Sequence, residues 1–138
     1  MERNGQPKVV AVTGAAGYIG RRLLERLATE HGIERIVATD TRPLDNPPAK
    51  ITYLQQDITQ PLGDAFREHG VEVVVHLSFV LRQSRQRGES HRVNVDGTAN
   101  VLQASHMAGV RRIIQLSSAT VYGPHPNNPA LLTEEHPM

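Results

Sequence analysis

The stretch Lys8-Val9-Val10-Ala11-Val12-Thr13-Gly14-Ala15-Ala16-Gly17-Tyr18-Ile19-Gly20-Arg21-Arg22-Leu23-Leu24 carries a β-branched apolar run through three spaced glycines into a helical apolar pattern. It reads as a strand, a phosphate turn and the start of a helix. Gly14 supplies backbone angles closed to other residues, Gly17 has no Cβ to hold a pyrophosphate off the backbone, and Gly20 lets the helix pack closely on the strand. The helix start then faces an anion with unpaired N–H groups and a positive dipole end. An acidic residue, Asp40, ends the next apolar run 20 residues beyond Gly20 and gives the turn its context.

Outward from this stretch, the first helix is expected from Arg21 to about Glu30, with His31-Gly32 as its stop, followed by a buried strand over 33–40. Pro43, Pro47 and Pro48 make 41–50 a loop. Ile51 to Gln56 is a third strand, Thr59 caps a helix running to about His69, and Val71 to Leu77 is a fourth strand of the unbroken Val type buried on both faces. Arg82 to Arg92 leads into a long helix ending near Ala108-Gly109, Arg112 to Ser117 is a fifth strand, and Pro124 to Met138 is loop. Strands alternating with helices imply right-handed crossovers and an α/β doubly wound parallel sheet, Rossmann-like, in the order 3-2-1-4-5, within one domain over 1–138. Ligands of such sheets sit at the carboxyl ends of the strands, where Gly14, Asp40, Asp57, Leu77 to Phe79 and Ser117-Ser118 all fall.

Composition narrows the classes. A chain of 138 residues buries about 68% of its unfolded surface, enough for a core. Charges nearly balance at +1, so no global field favours nucleic acid or a membrane as partner. The absence of cysteine suits a reducing cytoplasm, and the polar N-terminus and short apolar runs lead to the expectation of a soluble cytoplasmic protein. The seven histidines show no metal spacing and read as surface or turn residues. Arg82, Arg85, Arg87 and Arg92 read as a solvated loop near the site mouth, within reach of a substrate phosphate. No Gly-Lys-Ser/Thr follows the glycine turn, which excludes a P-loop.

Asp40 at the tip of the second strand can accept hydrogen bonds from both adenosine ribose hydroxyls, and its charge repels a 2′-phosphate. The reading is NAD over NADP, although Arg42 follows closely. Asp57-Ile58 would place a carboxylate and an N–H near the adenine edge. Asn94-Val95-Asp96-Gly97-Thr98 sacrifices helix propensity, which suggests that Gly97 approaches the sheet closely and Asn94 bonds a neighbouring loop.

Together with His76-Leu77-Ser78 and Ser117-Ser118-Ala119-Thr120-Val121-Tyr122-Gly123, these motifs resemble the extended short-chain dehydrogenase/reductases, and within them the NAD-dependent epimerase/dehydratase branch typified by UDP-glucose 4-epimerase. The resemblance implies backbone contacts from Tyr18 and Ile19 to the pyrophosphate, a cofactor lining by Leu77, Ser78, Phe79 and Asn94, and Ser118 as the active-site Ser/Thr. It also implies a nucleotide-sugar substrate and transient hydride transfer to NAD. The family's base is a Tyr followed four residues later by Lys. Tyr18, Tyr53 and Tyr122 are instead followed at that spacing by Arg22, Asp57 and Pro126. The expectation is therefore the N-terminal cofactor-binding part of a longer enzyme, inactive alone and prone to homodimerise or self-associate. A non-catalytic dinucleotide-binding regulatory or scaffold protein is the rival reading.

Overall fold

The computed structural model describes Gly5, residues 7–80 and residues 87–138. Its elements are β1 (Val9–Thr13), α1 (Tyr18–Thr29), β2 (Arg35–Asp40), β3 (Ile51–Gln55), α2 (Gly63–Glu68), β4 (Val73–His76), α3 (Arg87–His91), a π-helical segment (Arg92–Gly97), α4 (Thr98–Met107), β5 (Arg112–Gln115) and a 3₁₀ turn (Ala119–Tyr122). The five strands form one parallel sheet in the order β3-β2-β1-β4-β5. This is the expected order, and it puts the switch point between β1 and β4.

Alternation along each strand divides the core. Val10, Val12, Ile36, Ala38 and Val73 pack with Leu24 of α1, while Ala11, Val37 and Val74 pack with Phe66 of α2 and Val101 and Ala104 of α4. Burial of both faces is why β1, β2 and β4 read as unbroken apolar runs. β5 differs. All four of its residues are exposed, Ile114 by half. Register aligns the strand exits, with Thr13 beside Thr39 and His76, Asp40 beside Gln55, and His76 beside Gln115.

Two helix starts and one packing contact differ from the sequence reading for physical reasons. α1 starts at Tyr18 rather than Arg21, directly after an extended Gly17. Thr59 does not cap α2: its N–H and hydroxyl both go to Asp57 Oδ1, at 2.9 Å each, closing a turn that delays the helix to Gly63. Gly97 makes its close approach to Ile58 rather than to a strand, since a Cβ there would lie 2.6 Å from Ile58 Cδ1.

Candidate functional site

The carboxyl ends of β1 to β4 open onto a cavity of about 510 Å³ whose lining includes Gly14, Gly17, Asp40, Arg42, Asp57, Ile58, Leu77, Ser78, Phe79, Val80 and Arg92. The turn after β1 is built by its glycines. Gly14 has φ +68°, and a Cβ on it would lie 2.8 Å from Leu77 C and Ser78 N, so a side chain is barred both by conformation and by the loop after β4. A Cβ on Gly20 would lie 2.2 Å from Gly14 O. On Gly17 it would stand 3.1 Å from Gly14 O and 3.7 Å from Arg42 Nη2, inside the cavity lining. The first helical bond of α1 runs from Arg21 N–H to Gly17 O at 2.9 Å, so the amides of Tyr18, Ile19 and Gly20 precede the i→i−4 ladder. Tyr18 is 80% exposed with Arg22 over its ring, and Ile19 is exposed too.

Asp40 is buried. Its Oδ2 accepts the Ala16 N–H at 3.0 Å, and its Oδ1 accepts the N–H of Arg42 at 3.0 Å and Arg42 Nε at 3.3 Å. The Arg42 side chain is mostly exposed, so it is the member of this ion pair that can move aside. Tyr53 hydroxyl donates to Arg42 O, fixing the chain just past β2, and burial, then the nearby Asp40 charge, raises its pKa.

Asp57 sits half-buried beyond β3. Burial alone would raise its carboxyl; the Thr59 N–H and hydroxyl and the Arg92 guanidinium outweigh that and hold it below the ordinary value. Arg92 donates to Asp57 Oδ2 at 3.1 Å and to Thr59 Oγ1 at 2.7 Å. The sequence reading put Arg92 in a solvated loop near the site mouth; it does lie at the cavity with its side chain half exposed, but on the π-helical segment rather than in a loop. Arg82, Arg85 and the side chain of Arg87 lie outside the described residues.

Leu77 to Val80 forms the wall after β4. Leu77 and Ser78 N–H groups donate to Thr13 Oγ1 at 3.2 and 3.4 Å. Asn94 grips Val80 at both backbone atoms, accepting its N–H at 2.8 Å and donating to its carbonyl at 3.1 Å. Asn94 thus holds the neighbouring loop, as its position in the helix suggested, one step behind the lining.

His76 corrects the reading of all histidines as surface or turn residues. It is 3% exposed in β4, with Nδ1 2.6 Å from Thr13 Oγ1 and Nε2 2.9 Å from Thr98 Oγ1, and burial lowers its pKa. Its place in an apolar strand beside Thr13 was the signal, legible only once β1 and β4 are known to pair.

Ser117 and Ser118 follow β5, exposed and outside the cavity lining. Ser118 Oγ accepts from Thr120 N–H at 3.2 Å and Thr120 Oγ1 at 3.0 Å, which leaves its own hydroxyl proton to donate. Among the described residues no His, Asp and Glu cluster is arranged to hold a metal ion, and no helix is long and apolar enough to cross a membrane.

Residues 10–138 match the family profile described as the NAD dependent epimerase/dehydratase family. The chain belongs to that family. An uncharacterized protein of Mycobacterium tuberculosis is 31% identical over 137 residues, which is 94% of this chain and 36% of that protein. The 3 beta-hydroxysteroid dehydrogenase/Delta 5→4-isomerase of Vaccinia virus is 28% identical over 138 residues, 94% of this chain and 39% of that one. Among solved structures, MoeE5 in complex with UDP-glucuronic acid and NAD superposes with TM-score 0.78 at 33% identity, over 92% of this chain and 41% of that one. The chain therefore spans about two fifths of the length of each of these three proteins.

Proposed function

We propose that residues 1–138 form one NAD-binding Rossmann unit of a nucleotide-sugar epimerase/dehydratase-type oxidoreductase. The observation that carries this is the buried Asp40 carboxylate bonded to Ala16 N–H, which brings the β2 tip against the glycine turn beside one cavity. The residues fit the dinucleotide. The cavity lies within the roughly 300–1,000 Å³ of ligand sites, and Gly17 leaves open the space a Cβ would fill. The amides of Tyr18, Ile19 and Gly20 hold the pyrophosphate at the start of α1, and Gly14 shapes the turn. Asp40 takes the adenosine ribose hydroxyls once Arg42 moves aside, favouring NAD over NADP. Asp57 and Ile58 meet the adenine edge, and Leu77, Ser78 and Phe79 flank the cofactor, with Asn94 fixing that wall.

Bound NAD supplies a hydride acceptor. Ser118, with Ser117 before it, donates its hydroxyl proton to a substrate oxygen and orients it. The substrate reading rests on the UDP-glucuronic acid complex of MoeE5, and the cysteine-free sequence suits a cytoplasmic enzyme. The exposed Ile113, Ile114 and Leu116 around β5 suit self-association or a homodimer. No Tyr in these 138 residues has a Lys four positions later, so turnover needs a base beyond them; without one, the unit acts as a dinucleotide-binding module.

Calorimetric titration with NAD and NADP tests the reading. Saturable binding with NAD the tighter ligand supports it, and no binding of either overturns it.

A further inference from the structure

We propose that Thr13, His76 and Thr98 form a one-way hydrogen-bonded chain ending on the Asn94 carbonyl, and that together with the Asn94 side chain it ties both ends of the Leu77–Val80 wall and positions it for the dinucleotide. This rests on the NAD reading above. It assigns His76 and Thr98, which are not among the cavity-lining residues themselves, a positioning function in binding.

The argument is a proton count. Thr98 has one hydroxyl proton and donates it to Asn94 O at 2.8 Å. At the 2.9 Å contact with His76 Nε2 it must therefore accept, so the Nε2 carries the proton. In a neutral imidazole Nδ1 is then bare, and it receives the hydroxyl proton of Thr13 at 2.6 Å. With its proton committed, Thr13 Oγ1 turns its lone pairs to the N–H groups of Leu77 and Ser78. At the far end Asn94 grips both backbone atoms of Val80. Starting at Leu77 and running through β1, β4 and α4 to Asn94 of the π-helical segment, the linked groups return to Val80, three residues further along the same wall. Thr13 and His76 are both buried, so water cannot replace a lost link cheaply. The Oγ and imidazole groups thus set which tautomer, which hydroxyl rotamers and which backbone path the wall adopts.

The test pairs valine with serine at both hydroxyls. Thr13→Val and Thr98→Val should each weaken NAD binding roughly five- to tenfold, while Thr13→Ser and Thr98→Ser stay within about threefold. Because the two hydroxyls belong to one chain, Thr13→Val/Thr98→Val should lose little more than either single variant. Nitrogen-15 NMR of the His76 ring should show Nδ1 bare and Nε2 protonated. Folded valine variants that bind NAD like the unmodified chain would overturn the proposal, as would strictly additive losses or the opposite tautomer. Thr98 is half-buried on a helix, so its valine variant keeps the sheet intact if Thr13→Val does not fold. Should the unmodified chain bind no NAD, the cofactor reading fails separately. The amide hydrogen exchange of Ser78 and Val80 then decides the positioning claim: faster exchange in Thr98→Val than in Thr98→Ser supports it, and equal exchange rejects it.

Discussion

Asp40 Oδ2 accepts the backbone N–H of Ala16 at 3.0 Å, tying the tip of β2 to the turn that leaves β1. The same carboxylate is thus a structural clamp and, in the function proposed above, the acceptor of the ribose hydroxyls. Asp40→Ala should weaken NAD binding roughly 10- to 100-fold, raise NADP affinity relative to NAD, and lower stability by about 1–3 kcal/mol because the buried Ala16 N–H loses its partner. Calorimetry with both dinucleotides, beside thermal unfolding, measures all three. Unchanged stability would mean that the clamp is not formed in solution.

Gly17 and Gly20 should fail in different ways. A Cβ on Gly20 meets the Gly14 carbonyl and the Ala15 backbone, neither of which can yield, so Gly20→Ala should cost about 1–3 kcal/mol or more and shift the unfolding midpoint. Branched carbons on Gly17 point among cavity-lining groups, so Gly17→Val should remain folded and lose NAD binding. Retained affinity in folded Gly17→Val would place the phosphates elsewhere.

Acid should destabilise the chain in two separate windows. Protonation of His76 is disfavoured in the fold by burial, so below the ordinary histidine value the unfolded state binds the proton first and stability falls with pH. Asp57 is held below the ordinary carboxylate value, so its contribution is present above that value and is lost as pH falls through the folded one. His76→Gln should erase the upper window. Arg92→Ala should shrink the lower one and cost at most about 1 kcal/mol at neutral pH, since the Arg92 side chain is half exposed. Denaturant titrations at closely spaced pH values resolve the two.

Turnover of a nucleotide sugar by these 138 residues with NAD should be undetectable. In the proposed function Ser118 orients a substrate oxygen, but proton removal from an alcohol also needs a positioned base, whose loss typically forfeits about 10²- to 10⁴-fold. A side-by-side assay with a longer chain carrying a Tyr-x-x-x-Lys checks this. Activity in the shorter chain alone would assign the base to a residue within it, such as Tyr122.

Residue order alone determined the strand order, the glycine turn and Asp40 at the β2 tip. These follow from local rules: alternation buries both faces of a parallel sheet, and glycine adopts the positive φ of Gly14 without the strain a Cβ would bring. Tertiary structure decided what depends on partners distant in sequence. Thr13 and His76 are 63 residues apart and meet only because β1 pairs with β4. Arg92 and Asp57 are 35 apart and meet through the π-helical turn. Thr59 was legible as a helix cap but went to Asp57, because a side-chain acceptor two residues away offered two bonds at once. Spacing encodes which backbone a residue can adopt; which proton its side chain holds is settled by neighbours that only the fold brings within 3 Å.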